Sequence, residues 1–278
     1  VGGRTTLNAN GTFNFTSAGV GLSGTIDPVA ASVTGTLSQT GKPDSAFSGV
    51  ASTTVRPDRL INLSSRARIG PADGRTLITG FVIGGTAPKR VVLRAVGPTL
   101  SAFGVPDTIS NPRLQLYDSA GQLLQENDDW TGTDTAAAFI QVGAFSLVAG
   151  TRDAALVTTL APGSYTMHVL GGSETGIALA EIYDAGGNPL AESQRLVNIS
   201  TRGLVDTGDG ALIGGFVITG NSPKRVLIRG AGPSLALFSV PGVLVDPRLT
   251  VYKGSTVIAQ NDDWSTPVGV GNSQAATA

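Results

Sequence analysis

Residues 59–130 read RLINLSSRARIGPADGRTLITGFVIGGTAPKRVVLRAVGPTLSAFGVP…NPRLQLYDSAGQLLQENDDW, and residues 195–264 read RLVNISTRGLVDTGDGALIGGFVITGNSPKRVLIRGAGPSLALFSVP…DPRLTVYKGSTVIAQNDDW. About half of the aligned positions are identical. Solenoid turns recur every ~20–50 residues, so a period well above ~100 marks a whole folding unit copied in tandem. Each copy therefore tests any reading made on the other.

Within copy one, strands are predicted over residues 59–64, 77–83, 90–96, 113–117, 155–160, 164–170 and 177–183. Turn signals part them at Asp73-Gly74, Ala120-Gly121, Pro162-Gly163 and Gly186-Gly187, where Gly tolerates positive φ and Asp or Pro favours the bend. Seven or eight short strands at this spacing read as an antiparallel β-sandwich of jelly-roll type. One helical turn is predicted over residues 100–103, after Gly97-Pro98, with little helix elsewhere.

Outward from the repeat lie two further segments. Residues 1–55 alternate small polar and apolar positions, with Phe13, Phe15, Val20, Leu22 and Ile26 set among Thr, Ser and Gly. Period-2 patterning broken by Gly and Asp-Pro reads as a β-meander. The division is therefore a Gly/Thr/Ser-rich meander over 1–55, a complete module over 56–190 and an incomplete copy over 191–278. After Trp264 the chain has no counterpart of the strands around Leu156, Tyr165 and Ala180. Half a sandwich leaves an apolar face and unpaired edges in water. Two explanations are expected: the native chain continues, or a strand from another chain completes the sheet.

Composition narrows the classes. Net charge is -1 and charged residues make up 14%, which argues against nucleic acid or an anionic surface as partner. No apolar run approaches the ~18 residues that cross a bilayer as a helix. There are no cysteines, so disulfides, thiolate metal sites and cysteine nucleophiles are excluded. With 38 Gly and 15 Pro, a strand-and-turn protein is favoured.

The segment RLQLYDSAGQLLQENDDW, followed by DAALVTTLAPGSYTMHVLGGSETGIALAEIYD, carries a resemblance. The whole ~135-residue unit resembles repeats near the C-termini of very large secreted bacterial proteins. Its second half is similar to the bacterial pre-peptidase C-terminal domain, a jelly-roll β-sandwich. The resemblance implies a non-catalytic accessory or surface module, sometimes calcium-stabilised and sometimes carbohydrate-binding. Fold transfers across such a likeness more safely than function.

The leading candidate site is the repeated Asn-Asp-Asp-Trp loop: Asn127, Asp128, Asp129 and Trp130, then Asn261, Asp262, Asp263 and Trp264. Adjacent carboxylates and an Asn carbonyl are hard oxygen ligands suited to Ca²⁺. The competing reading is an Asx-rich turn whose side chains bond local backbone. Asp118 is matched by Lys253, so a shared metal site cannot require it. The tryptophans are expected to pack the loop onto the sandwich, with stacking on a glycan as the alternative.

Arg94 and Arg229 lie among apolar strand neighbours and need a carboxylate or carbonyl partner. Asp73, Asp209 or the Asp-Asp loops are the candidates. The neighbouring Lys-Arg pairs, Lys89-Arg90 and Lys224-Arg225, read as solvated strand ends. Gly230-Ala231-Gly232-Pro233 lacks the pattern and the lysine of a phosphate loop, and copy one has Ala95-Val96-Gly97-Pro98 instead, so nucleotide binding is rejected. His168 is the single histidine and no nucleophile elbow accompanies it. Nothing places Glu174 and Glu181 across a cleft as a glycosidase pair.

These readings converge on a non-enzymatic, secreted or cell-surface structural or adhesive repeat protein. Its partners would be further copies or neighbouring domains, joined by strand complementation of the incomplete module. The alternative is a calcium-stabilised glycan-binding accessory module of a secreted enzyme.

Overall fold

The computed structural model describes residues 8, 10–17, 19–27, 29, 32–50, 59–71, 75–186 and 194–265. The predicted turn at Asp73-Gly74 and the linker beyond Gly186 lie outside them. The chain divides into two compact units, Val1–Val55 and Arg56–Ala278.

The first unit is an antiparallel meander of β1 (Thr12–Ser17), β2 (Val20–Asp27), β3 (Ser32–Gln39) and β4 (Lys42–Val50), paired in chain order. Its glycines make room for two rings. A Cβ on Gly24 would stand 2.7 Å from the Phe13 ring, and one on Gly35 2.5 Å from the Phe47 ring. The two rings lie 6.5 Å apart across the sheet. With mostly half-buried and exposed side chains, these four strands bury little apolar surface.

The second unit holds both copies of the repeat. Copy one supplies β5 (Arg59–Ile69), β6 (Leu77–Gly85), β7 (Lys89–Val96), β8 (Arg113–Asp118), β9 (Leu123–Asn127), β10 (Ala154–Leu160), β11 (Gly163–Leu170) and β12 (Gly176–Asp184). Copy two supplies β13 (Gln194–Arg202), β14 (Ile213–Thr219), β15 (Leu249–Lys253) and β16 (Thr256–Asn261). All seven predicted copy-one strands are present. The sequence reading missed β9 and the helix α1 (Thr133–Gln141). The helical turn after Gly97-Pro98 is a short 3-10 helix, Pro98–Phe103, and copy two repeats it as Pro233–Phe238.

The all-β architecture is a nearly closed antiparallel arrangement in two halves. One half runs β10-β7-β12-β5 with β14 on the far edge of β5, and the other runs β13-β6-β11-β8-β9. They join through a single pair, Leu60 with Leu196. Between them lies one core that includes Leu63, Phe81, Leu93, Leu116, Met167 and Ile182, all at 1% exposure or less. Strand alternation builds it: along β5, Leu63, Ser65, Ala67 and Ile69 face inward while Arg66 and Arg68 are half-buried.

Copy two does not fold as a second, separate sandwich. Its first two strands pair with the first two strands of copy one, reciprocally. β13 lies on β6, with Ile199 opposite Phe81, Ser200 opposite Gly80 and Arg202 opposite Ile78. β14 lies on β5, with Phe216 opposite Leu63, Gly215 opposite Ser64 and Ile213 opposite Arg66. Since Leu63 aligns with Ile199 and Phe81 with Phe216, these are the same pairs with the copies interchanged. The irregularity repeats too. The register skips Ile61 in one ladder and its counterpart Val197 in the other, a one-residue bulge that turns the strand's facing. The linking pair, Leu60 with Leu196, joins equivalent residues. That is the pairing a local two-fold axis demands.

Candidate interaction site

Two buried polar networks hold copy one's strands against each other. Arg94 on β7 is fully buried, and its partner is Glu181 on β12. Its Nε donates to Glu181 at 2.8 Å and its Nη1 donates to the Phe145 carbonyl at 2.6 Å. The rings of Phe145 and Phe139 lie 4.2 and 4.8 Å from its guanidinium carbon. Tyr183 donates its hydroxyl to the other Glu181 oxygen at 2.7 Å. Burial, reinforced by the Glu181 charge, pushes the Tyr183 phenol well above its ordinary range. The partner therefore corrects the expectation: Glu181 serves, not Asp209 or the Asp-Asp loops, and Asp73 lies outside the described residues. Glu181 sits 87 residues from Arg94 in sequence, so no local spacing pointed to it.

Lys89 corrects a second expectation. It is 1% exposed and contacts Asp184 at 2.6 Å, and Arg59 contacts the other Asp184 oxygen at 3.2 Å. The strand end is inside, because β7 runs between β10 and β12 and both neighbours cover it. A buried lysine must keep a carboxylate close. A third buried acid, Asp153, was also missed. It accepts from the backbone N–H of Gly97 at 2.8 Å and from the hydroxyls of Thr99 and Thr151. It thereby fastens the start of the Pro98–Phe103 helix to the chain ahead of β10.

In each Asn-Asp-Asp-Trp loop the Asn side chain bonds nearby backbone. Asn127 donates its amide N–H to the Asp129 carbonyl at 3.1 Å, and its Oδ1 accepts from the Ala155 backbone N–H at 2.9 Å. Asn261 repeats the first bond to Asp263 at 3.0 Å. Asp262 meets Arg248 at 3.1 Å. Among the described residues, no group of three or more His, Cys, Asp or Glu side chains gathers as for a metal ion. Trp130 packs on Phe139 of α1, with ring centres 5.8 Å apart, while Trp264 is 73% exposed. A cavity of about 430 Å³, lined by residues that include Arg90, Asn127, Asp134 and Thr135, opens beside the copy-one loop. His168 lies against Tyr117 at 4.6 Å. Burial, then the Arg202 charge, lowers its pKa. Glu174, exposed, accepts from the hydroxyl and backbone N–H of Ser110.

Copy two presents strand edges that no strand among the described residues covers. In copy one, β5 carries β14 on one edge and β12 on the other. On β13, β6 takes the first edge, and past Leu196 no strand among the described residues takes the second. Likewise β6 carries β11 opposite β13, whereas among the described residues β14 pairs with β5 alone. Side chains that are buried in copy one lie open in copy two. Phe81 is 1% exposed and its counterpart Phe216 37%, while Val92 is 0% and Leu227 71%. The counterpart of β7, residues 224–231, is not a strand at all. Apolar β-edges of this kind are templates for strand addition.

Compared with family models, curated proteins and solved structures, the chain gives no match in any of the three. Among the described residues no helix is long and apolar enough to cross a membrane.

Proposed function

We propose that this chain is a non-enzymatic structural or adhesive repeat protein that works outside the cell and assembles by strand complementation. The observation that carries the reading is the pair of apolar strand edges on β13 and β14 that no strand among the described residues covers. The reciprocal pairing of β5, β6, β13 and β14 supports it, because the repeat already joins to another copy by exchanging strands. The buried acids and bases are consumed in holding strands: Glu181 by Arg94, Asp184 by Lys89 and Arg59, Asp153 by backbone and threonines. Extracellular placement rests on the sequence resemblance and on the cysteine-free composition.

The test is sedimentation of the full chain over a rising concentration series, with negative-stain imaging of the same samples. Larger, regular species are expected. A chain that stays monomeric throughout overturns the assembly reading, and turnover in a broad esterase and glycosidase screen overturns the non-enzymatic one. The cavity beside Asn127 favours a second reading, a glycan-binding accessory module stabilised by calcium. Its test is a glycan array probed with the chain and with Asp134→Ala. A positive array silenced by that substitution supports it, and a blank array rejects it.

A further inference from the structure

β10 stands at an end of the sheet, and no strand among the described residues pairs with its outer edge. Strand edges are normally blunted by charge, proline or a bulge. β9, which ends the same path, has a register shift against β8 and carries Glu126. β10 reads AALVTTL and pairs with β7 without a shift, so it has none of the three. Its beginning is covered: the Asp153 carbonyl ahead of it accepts from the Trp130 N–H at 2.8 Å, and the Ala155 N–H goes to Asn127. Backbone direction alternates along a strand, so the N–H and C=O groups of Val157 and Thr159 face outward as the Ala155 N–H does. Among the described residues no hydrogen bond takes them up. The cavity of about 430 Å³ begins where the Asn-Asp-Asp-Trp loop stops covering this edge. Asn127 and Thr131 bound one end, residues 155–157 line it along β10, and Asp134 and Thr135 line it from α1.

We propose that this groove docks an extended peptide of a partner protein, added antiparallel to β10 as a further strand. The proposal goes beyond the assembly reading, which concerns the edges of copy two, and it competes with the glycan reading for one cavity. A glycan can meet the charges here, but a peptide backbone repeats donor and acceptor at the rung spacing of β10. The charges then select the sequence. Arg90 lies on β7 opposite Thr159, half-buried, with the neutral Gln141 oxygen at 3.1 Å and no ion pair among the described residues. Asp134 is exposed in the first turn of α1, whereas Gln141 ends that helix. The groove is therefore positive beside Thr159 and negative beside Ala155. An antiparallel strand passes Thr159 first. An acidic residue there, with a basic residue four positions later, matches both charges. Directly opposed residues share a face. Ala155 and Val157 lie opposite Arg94 and Val92, on the side that packs with Phe139 of α1. The two charged side chains of the peptide thus fall on the side of Arg90 and Asp134, and the residues that alternate with them lie opposite Leu156 and Thr158.

The probe is the end-blocked peptide Ser-Glu-Val-Thr-Val-Lys-Ser, titrated into the full chain and followed by amide NMR. Its central Thr is set opposite Val157. Saturable shifts are expected at the amides of Val157 and Thr159, with slowed hydrogen exchange at both. N-methylation of the peptide's Thr should abolish binding, because that N–H points at the Val157 carbonyl. N-methylation of its first Val, whose N–H points away from β10, should leave binding in place. Arg90→Gln should weaken binding about tenfold, as loss of one charge-assisted hydrogen bond implies. Arg90→Glu should bind instead a peptide whose Glu is replaced by Lys. Asp134→Asn, on the exposed first turn of α1, tests the other end without touching the sheet and should weaken binding several-fold. The proposal is overturned by no binding, by equal binding of the peptide methylated at Thr, by tighter binding of the reversed order Lys-Val-Thr-Val-Glu, or by indifference to both Arg90→Gln and Asp134→Asn. An oligosaccharide that binds while the peptide does not overturns it in favour of the glycan. Protection of Val157 and Thr159 that rises with chain concentration, with no peptide present, overturns it in favour of β10 pairing with a second copy.

Discussion

Replacing Glu181 by Gln keeps the side chain's shape and removes its charge. Arg94 then remains fully buried with neutral oxygens alone beside it, the Phe145 carbonyl and the single amide oxygen of the new side chain, where its Nε and Nη2 had lain 2.8 and 2.6 Å from the Glu181 carboxylate. Removing one member of a buried ion pair costs about 3–5 kcal/mol, because the remaining charge stays desolvated. The rings of Phe139 and Phe145, at 4.8 and 4.2 Å, still attract the cation, each contributing on the order of 1–2 kcal/mol when desolvated. With the carboxylate's charge gone the rings lie against an unpaired cation and stabilise it in part, which places the loss at the lower end, about 3 kcal/mol. For a unit of this size that lowers the melting temperature by roughly 10 °C. Urea unfolding followed by tryptophan fluorescence measures it, with Trp130 reporting on the adjacent Phe139 layer. The companion variant, Arg94→Met with Glu181→Met, removes both charges and should recover most of the stability. A loss under about 1 kcal/mol for Glu181→Gln, or a double variant no better than the single one, would refute the claim that this pair is a charge-compensated clamp between β7 and β12.

Three further outcomes are expected. Ile199→Pro on β13, opposite Phe81, removes a ladder donor and should destabilise copy one by about 1–3 kcal/mol even though the substitution lies in copy two; urea midpoints read by copy-one hydrogen exchange check it, and an unaffected copy one would refute the reciprocal pairing. His168 is held below its ordinary pKa by burial and then by the Arg202 charge, so its neutral form favours the folded state. Its contribution is present above the unfolded value near 6.5 and is lost as pH falls through the lower folded value. His168→Gln should therefore flatten the fall in melting temperature on acidification from pH 7, and an unchanged slope would count against it. Treatment with a chelator should leave the melting temperature unchanged, because Asn127 is already committed to the Ala155 and Asp129 backbone; a drop would show that the fold depends on a bound divalent cation.

Sequence and structure part company at identifiable residues. The strands of copy one were legible because each carries its own period-2 pattern and its own turn residues. Helix α1 was not, because TDTAAAF lacks a capping side chain and its N-cap is Gly132. Strand β9 hid because its residues LLQE are all exposed and show no alternation of burial. Lys89 read as a solvated end because its neighbour in sequence is Arg90; only the flanking strands β10 and β12 put it inside. The Asn-Asp-Asp-Trp loops were found in sequence by repetition, while the bond from Ala155 to Asn127 spans a helix and a long loop that local spacing cannot cross.

What the chain alone determined was local: a duplicated unit, all-β, with short strands cut by Gly and Pro at fixed places. What tertiary structure decided was partnership. Residues 90–96 and 225–231 carry nearly the same pattern, RVVLRAV and RVLIRGA. The first is a buried strand between two neighbours and the second is not a strand. The physical reason is that alternation fixes which side chains share a face, but a strand holds only when its backbone N–H and C=O groups are taken up by another. Those groups do not name their partner, so neither the exchange of β5 and β6 with β13 and β14 nor the choice of Glu181 for Arg94 could be read before the chain was folded.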